Sequence, residues 1–377
     1  MSAPLPFVDL KAQYTRLKPV IAARIQRVLD HGQYVLGPEV AELEEALARF
    51  CGARHCVTVA SGTEALRLPL MAAGIGPGDA VLLPAFTFPA TAEVVVALGA
   101  TPIFVDVDPR TCNLDPGHLA EILGRARKGT GPQPKAVMPV DLFGLPADYA
   151  AIEAIAQADG LIVLADAAQS FCARLGNRAV GTLAPVTATS FFPAKPLGAY
   201  GEGGAIFTDS AERAHVLRSI RAHGAGDDRY DIVRLGTNAR LDTLQAAVLL
   251  AKLEVFADEL VSRERWAALY DSRLGSGIAI PYRSPDSRSA WAQYCVRVPH
   301  RDQVRERLAR EGIPTAIYYP KPLHFQPAYS CYGDGPGSLP VSERLCGEIL
   351  ALPMHPYLDE TVIDRIAKAL RGATGRI

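Results

Sequence analysis

The sequence predicts an α/β protein with a large N-terminal domain on a mainly parallel sheet flanked by helices and a smaller α+β C-terminal domain. Three observations lead there. Short apolar runs alternate with helical patterns between residues 55 and 164, the order that wraps helices around a parallel sheet. At 377 residues the chain exceeds one small core, so a large domain with a smaller companion is expected. Towards the C-terminus the composition shifts to Pro-rich turns between short elements, which sets the expected division at 1–275 and 276–377.

In order along the chain, residues 17–30 (L-K-P-V-I-A-A-R-I-Q-R-V-L-D) and 39–50 (E-V-A-E-L-E-E-A-L-A-R-F) carry apolar residues at helical spacing. His31-Gly32 closes the first helix and Gly37-Pro38 precedes the second. Strands are expected at 55–60, 80–83, 103–105, 136–140 and 161–164, with helices at 62–73, 88–98, 116–125 and 147–156 between them. After Phe207, residues 210–222 read as a helix. A long helical pattern from about Arg240 to Leu274, with one break expected, links the two domains. The C-terminal part predicts strands at 290–298 and 315–319 and helices at 301–311, 341–349 and 359–371. In such sheets ligands sit at the carboxyl ends of the strands, so the chemistry is sought in the loops that follow them.

Composition narrows the function classes. A formal net charge of -1 gives no footing for nucleic acid or an anionic membrane. No apolar run reaches membrane-spanning length, and the first residues lack the order of a signal peptide. The 7 cysteines are scattered without a C-x-x-C pair, so neither a disulfide framework nor a thiolate metal site is expected, and a cytoplasmic setting fits.

One stretch stands out: S-F-F-P-A-K-P-L-G-A-Y-G-E-G-G-A-I-F, residues 190–207. Its lysine, Lys195, lies between Pro193 and Pro196 and so cannot sit inside a helix or a central strand. Partial burial would lower its pKa and free an amine for condensation with a carbonyl; a solvated loop lysine is the plain alternative. Ser61-Gly62-Thr63-Glu64 follows the first strand and opens a helix, which makes it a phosphate site, a capping box, or both. Asp166 ends the run L-I-V-L-A-D. There it would hold a protonated ring nitrogen, cap a helix or bind magnesium. Gln169 lies one turn further on. Phe88, in P-A-F-T-F-P, is the better aromatic to cover a ring, although Phe86 and Phe88 also read as core. Phosphate loop, strand-end Asp, then a lysine 29 residues later (195 minus 166) is the set that pyridoxal 5'-phosphate requires of a protein.

These motifs resemble the sugar aminotransferases of the DegT/StrS group, fold-type I pyridoxal-phosphate enzymes. The likeness covers nearly the whole chain: D-L-K-A-Q-Y (9–14), G-Q-Y-V-L-G-P-E-V (32–40), A-S-G-T-E-A-L (60–66), A-D-A-A-Q-S-F (165–171), R-A-H-G (221–224) and N-A-R-L-D-T-L-Q-A-A (238–247). The Lys-Pro form of the loop, Y-Y-P-K-P-L-H (318–324) and L-P-M-H-P-Y-L (352–358) resemble the subgroup acting on UDP-2-acetamido-2-deoxy-3-oxo-glucuronic acid.

The resemblance implies a seven-stranded sheet and an amino group moved from L-glutamate to a nucleotide-linked keto sugar in surface polysaccharide biosynthesis. Amination at C4 of a UDP- or dTDP-4-keto-6-deoxy sugar is the first alternative, and a non-catalytic cofactor-binding regulator the second. By resemblance Lys195 is the Schiff-base residue, Asp166 the pyridinium partner and Gln169 a ring contact. Gly62, Thr63 and Ser190 hold the phosphate. Asn238 reaches the neighbouring subunit's phosphate, which implies a homodimer with shared active sites. Arg240 suits the sugar's carboxylate or a surface ion pair, and Tyr319 and His324 are candidates for the sugar site. The chain departs from the group's pattern at Glu202, Ala199 and Asp141, where relatives carry Asp, Cys and His.

Overall fold

The computed structural model describes residues 5–375. A sheet of 7 strands forms the centre, ordered β1 (His55–Val59), β9 (Gly204–Thr208), β8 (Val186–Ser190), β5 (Ile162–Asp166), β4 (Gln133–Val137), β2 (Asp79–Pro84) and β3 (Thr101–Val105). The β8, β5, β4, β2 and β3 run is parallel, and β9 lies antiparallel between β1 and β8.

Alternation along each strand divides the side chains between two faces. Val57, Val81, Leu83, Ala136, Leu164 and Ile206 join one core with α3 (Gly62–Ala72), α4 (Ala90–Ala97) and α7 (Ala211–Arg221). On the opposite face, Leu82, Val137, Val163 and Ala165 pack on α5 (Pro116–Lys128) and α6 (Tyr149–Ala158). Cys56, Ala205 and Phe207 pack there on α2 (Pro38–Cys51) and α8 (Thr243–Leu274). The sheet is thus buried on both faces, which is why its strands read as unbroken apolar runs. β6 (Arg174–Leu175), β7 (Arg178–Ala179) and β10 (Ser287–Arg288) make a small separate sheet.

The C-terminal part packs β11 (Tyr294–Arg297) antiparallel to β12 (Ile349–Leu352), with α9 (Arg301–Arg310) and α11 (Glu360–Thr374). Its core includes Trp266, Tyr270 and Leu274 from the last turns of α8. α10 (Pro340–Glu348) is tied to the large sheet through Asp106, just past β3, whose carboxylate accepts from the amides of Val341 and Ser342.

Several boundaries differ from the sequence expectation. The first helix, α1 (Leu10–His31), starts seven residues (17 minus 10) before the expected 17. Asp9 caps it through the Ala12 amide at 2.8 Å, and Pro19, a proline that reads as an opening signal, lies well inside. The expected break in the long helix is absent: α8 runs for 32 residues. The helix expected from Phe88 begins at Ala90, leaving Phe88 in the loop after β2. The expected strand 315–319 is reduced to one bridge between Ala316 and Ala351, because the prolines flanking that segment keep it from joining the ladder. β12 takes the segment after the helix expected at 341–349, where Ile349-Leu350-Ala351-Leu352 is too short and evenly apolar to show a period.

Candidate active site

The carboxyl ends of β1, β2, β5 and β8 and the amino end of the antiparallel β9 open onto one cavity of about 640 Å³. Its lining brings together Gly62, Thr63, Phe88, Asp166, Gln169, Ser190, Lys195 and Tyr319. These eight come from segments far apart in sequence.

Asp166, the last residue of β5, is 5% exposed. Its backbone is fixed from both sides: the amide donates to Pro139 O at 2.9 Å, and the carbonyl accepts from Asp141 N at 3.0 Å. One carboxylate oxygen accepts from Thr91 Oγ1 at 2.9 Å, the other from the Ala168 amide at 3.2 Å. Burial lifts this carboxyl above its ordinary range, against the pull of Thr91, Ala168 and the charge of Lys195. Burial conversely lowers the Lys195 amine, and Asp166 draws it back up in part. No direct ion pair joins the two among the described residues; they face a shared space. An acid and an amine each pushed towards neutrality and separated by a cavity mark a site prepared for a ligand with its own cationic and electrophilic atoms.

The lysine loop is braced from behind. Lys195 N donates to Phe192 O at 2.9 Å, Ala199 N to Phe191 O at 2.7 Å, and Phe191 N to Gly203 O at 2.8 Å. From α8, Lys252 Nζ donates to Gly198 O at 2.6 Å and Gln245 Oε1 accepts from Tyr200 N at 2.9 Å.

At the cavity's other wall, Ser61 caps α3 by accepting from Glu64 N at 3.1 Å. The Ser61 half of the capping box forms while the Glu64 carboxylate pairs with Arg67, and the Gly62 and Thr63 amides at the helix start lie on residues that line the cavity. A Cβ on Gly62 would fall 2.6 Å from Ser190 Cβ, and one on Gly204 would fall 2.4 Å from Ser61 O. Only glycines let β8, β9 and the start of α3 close into this cradle. Donor amides, the Ser190 hydroxyl, a strand-end carboxylate and a desolvated amine fit a phosphorylated pyridine aldehyde in size and chemistry.

Gln169 and Tyr319 are joined: Gln169 Nε2 donates to Tyr319 OH at 3.2 Å, while Gln169 Oε1 accepts from Phe143 N at 2.6 Å. The Tyr319 ring lies 6.1 Å from that of Phe88. Phe88 is 54% exposed, a ring at the cavity wall rather than core, whereas Phe86 is fully buried.

Three expected residues lie elsewhere. His324 is not in the cavity. Its ring is sealed beside Phe104 and Phe325, and Nε2 meets Glu343 Oε1 at 3.1 Å across to α10. A structural latch replaces the sugar contact expected there. Asn238 and Arg240 also stand outside the lining. Arg240 Nε donates to Asn238 Oδ1 at 3.1 Å, and the intervening Ala239 is stitched to Ala60 and Arg221 beside the end of β1.

Sequence reasoning missed Thr91, the hydroxyl that holds Asp166, because 75 positions separate the pair and no local motif joins them. It also missed Gln293 and Glu93, and it gave Glu202 no role; all three line the cavity.

Comparison with known proteins gives this site its context. The UDP-2-acetamido-2-deoxy-3-oxo-D-glucuronate aminotransferase of Pseudomonas aeruginosa is 50% identical over 367 residues, covering 97% of this chain and 99% of its own. A DegT DnrJ EryC1 StrS aminotransferase from Brucella abortus, solved as a crystal structure, superposes with a TM-score of 0.96 at 50% identity. That match covers 98% of this chain and 100% of the other. NtdA from Bacillus subtilis, solved with bound cofactor PMP, matches at 28% identity and a TM-score of 0.89, covering 100% of this chain and 86% of its own. The DegT/DnrJ/EryC1/StrS aminotransferase family model matches residues 16–371, and the chain belongs to that family.

Proposed function

We propose that the protein is a pyridoxal-phosphate-dependent aminotransferase that moves the amino group of L-glutamate to a nucleotide-linked keto sugar. The acceptor is a UDP-2-acetamido-3-oxo sugar of the glucuronate type. One observation carries the reading: Lys195 and Asp166, each driven towards neutrality by burial, face one cavity beside the amides that open α3. The 50% identity to the Pseudomonas aeruginosa enzyme supports the choice of sugar. Surface polysaccharide biosynthesis is the setting, and the seven free thiols suit a reducing cytoplasm. The active unit is a homodimer with shared sites, and the chain divides near residue 275 into a cofactor domain and a smaller partner.

When bound, the cofactor would supply an electron sink for chemistry at the donor's α-carbon. The chain does the rest. Lys195 Nζ, its pKa lowered by desolvation, takes the donor's α-proton and returns it as a general acid/base. Asp166, steadied by Thr91 and Ala168, would hold the ring nitrogen by accepting from its N–H. Gly62, Thr63 and Ser190 would anchor the phosphate at α3's amino end. Phe88 and Gln169 would hold the ring, and Arg240 of a neighbouring subunit would take the sugar carboxylate.

The test is a spectrum and a variant. Purified protein is expected to be yellow and to bleach with L-glutamate. Lys195→Ala should lose at least about 1000-fold in kcat, as removal of a proton-transferring group does, while still binding cofactor noncovalently. A colourless wild-type protein, or a variant with full activity, refutes the reading. A panel of UDP- and dTDP-keto sugars separates C3 from C4 amination.

A further inference from the structure

Gln293 lies two residues past Trp291, where the chain enters the C-terminal part, and its side chain lines the cavity beside Tyr318 and Tyr319. Its Oε1 is sealed from solvent and has no hydrogen-bond donor. An amide oxygen left in that state is destabilising, so such groups are rarely kept without a use. The backbone around it is fixed: Gln293 N meets Phe143 O at 3.5 Å, Phe143 N donates to Gln169, and Gln169 donates to Tyr319. The unsatisfied amide is thus tied through Phe143 to the part of the lining that carries Gln169 and Tyr319.

A glutamine's terminal torsion is broad and roughly two-fold, so a half-turn that exchanges Oε1 with Nε2 presents the oxygen to the cavity. A carboxamide offers one acceptor and two donors, and its natural complement is another amide. The neighbouring lining is aromatic and aliphatic, with Tyr318, Tyr319 and Val140, which suits a methyl group. We infer that Gln293 selects the N-acyl substituent of the sugar acceptor: Oε1 accepts from the acyl amide N–H, and Tyr318 and Val140 face its methyl. The inference rests on the keto-sugar reading above and adds to it the group that distinguishes an acetamido sugar from its hydroxy counterpart.

The test compares two acceptors within each variant: UDP-2-acetamido-2-deoxy-3-oxo-glucuronate, generated in place by oxidation at C3, and its 2-hydroxy analogue. Gln293→Met is expected to lower kcat/KM for the acetamido sugar by about 10- to 100-fold, the span of a lost buried hydrogen bond. The 2-hydroxy analogue should lose less than about threefold, so the preference collapses. Calorimetry with the aminated acetamido product should show a matching loss in Kd. Gln293→Asn, one methylene short, serves as second variant if Gln293→Met melts early. Equal losses on both sugars, or none, overturn the inference alone. A wild-type enzyme that aminates neither sugar overturns the parent reading as well.

Discussion

A buried carboxyl need not be catalytic to shape a site. Asp141 is fully buried behind the strand ends, accepting from Ala147 N, Tyr149 OH and Ser170 Oγ. Burial nevertheless lifts it to about 6, and the charge of Asp166 adds to the lift. Its folded pKa therefore exceeds the unfolded value of about 3.9. The stabilisation it gives is complete below that unfolded value and fades as pH rises through about 6. Asp141→Asn should gain on wild type by roughly 2–3 kcal/mol between pH of about 4 and 7, read from urea unfolding at both ends. A constant difference across that range would show that the three donors hold the ionised form without penalty. The sequence marked Asp141 only as an oddity, since nothing local announces Tyr149 and Ser170 as its donors. Lys195 and Asp166 were legible because strand ends and prolines constrain them within a few residues. His324 was misread because a histidine in a motif does not reveal that Glu343 will claim it.

At the scale of elements, α8 does more than connect. It presents Lys252, 1% exposed, to the back of the lysine loop, with the amine 2.6 Å from Gly198 O and 4.2 Å from the centre of the Tyr200 ring. Burial pulls this amine down to about 8, so the position keeps a poorly solvated cation to hold one carbonyl. Lys252→Met would strand that carbonyl at a cost of about 1–3 kcal/mol. Exchange of the Ala199 and Tyr200 amides should then quicken by about tenfold or more, measured by hydrogen exchange with mass spectrometry. Unaltered exchange would show that Gln245 and the prolines suffice. Periodicity revealed α8 as a long helix, yet it gave no sign that the helix stays whole, because a break depends on what packs beside it. The alternation of strands and helices through residue 166 was legible for the converse reason, each strand being buried on both faces by local apolar runs alone.

At the scale of the molecule, the segment leading to Asn238 and Arg240 leaves Tyr230, Ile232, Val233 and Leu235 between 51% and 84% exposed. Close by, Tyr34 and Val35 are pinned to the start of α8 by the Thr243 amide and the Val35–Asp242 bridge, and they too face outward. An apolar surface of that kind on a single chain calls for a partner, and the homodimer proposed above would bring Asn238 and Arg240 over a neighbour's cavity by two-fold symmetry. On that proposal the wild-type protein sediments as a dimer, and Leu235→Glu should shift it towards monomer, with activity falling in step. Mixing makes the sharper test. Lys195→Ala and Asn238→Ala subunits are each expected to be inactive alone. Random re-pairing gives one half mixed dimers, and in each of these one site joins an intact Lys195 to an intact Asn238. About a quarter of wild-type activity should then return if sites are shared across a two-fold axis. Were each site built from one chain, every subunit in the mixture would keep its own defect and nothing would return.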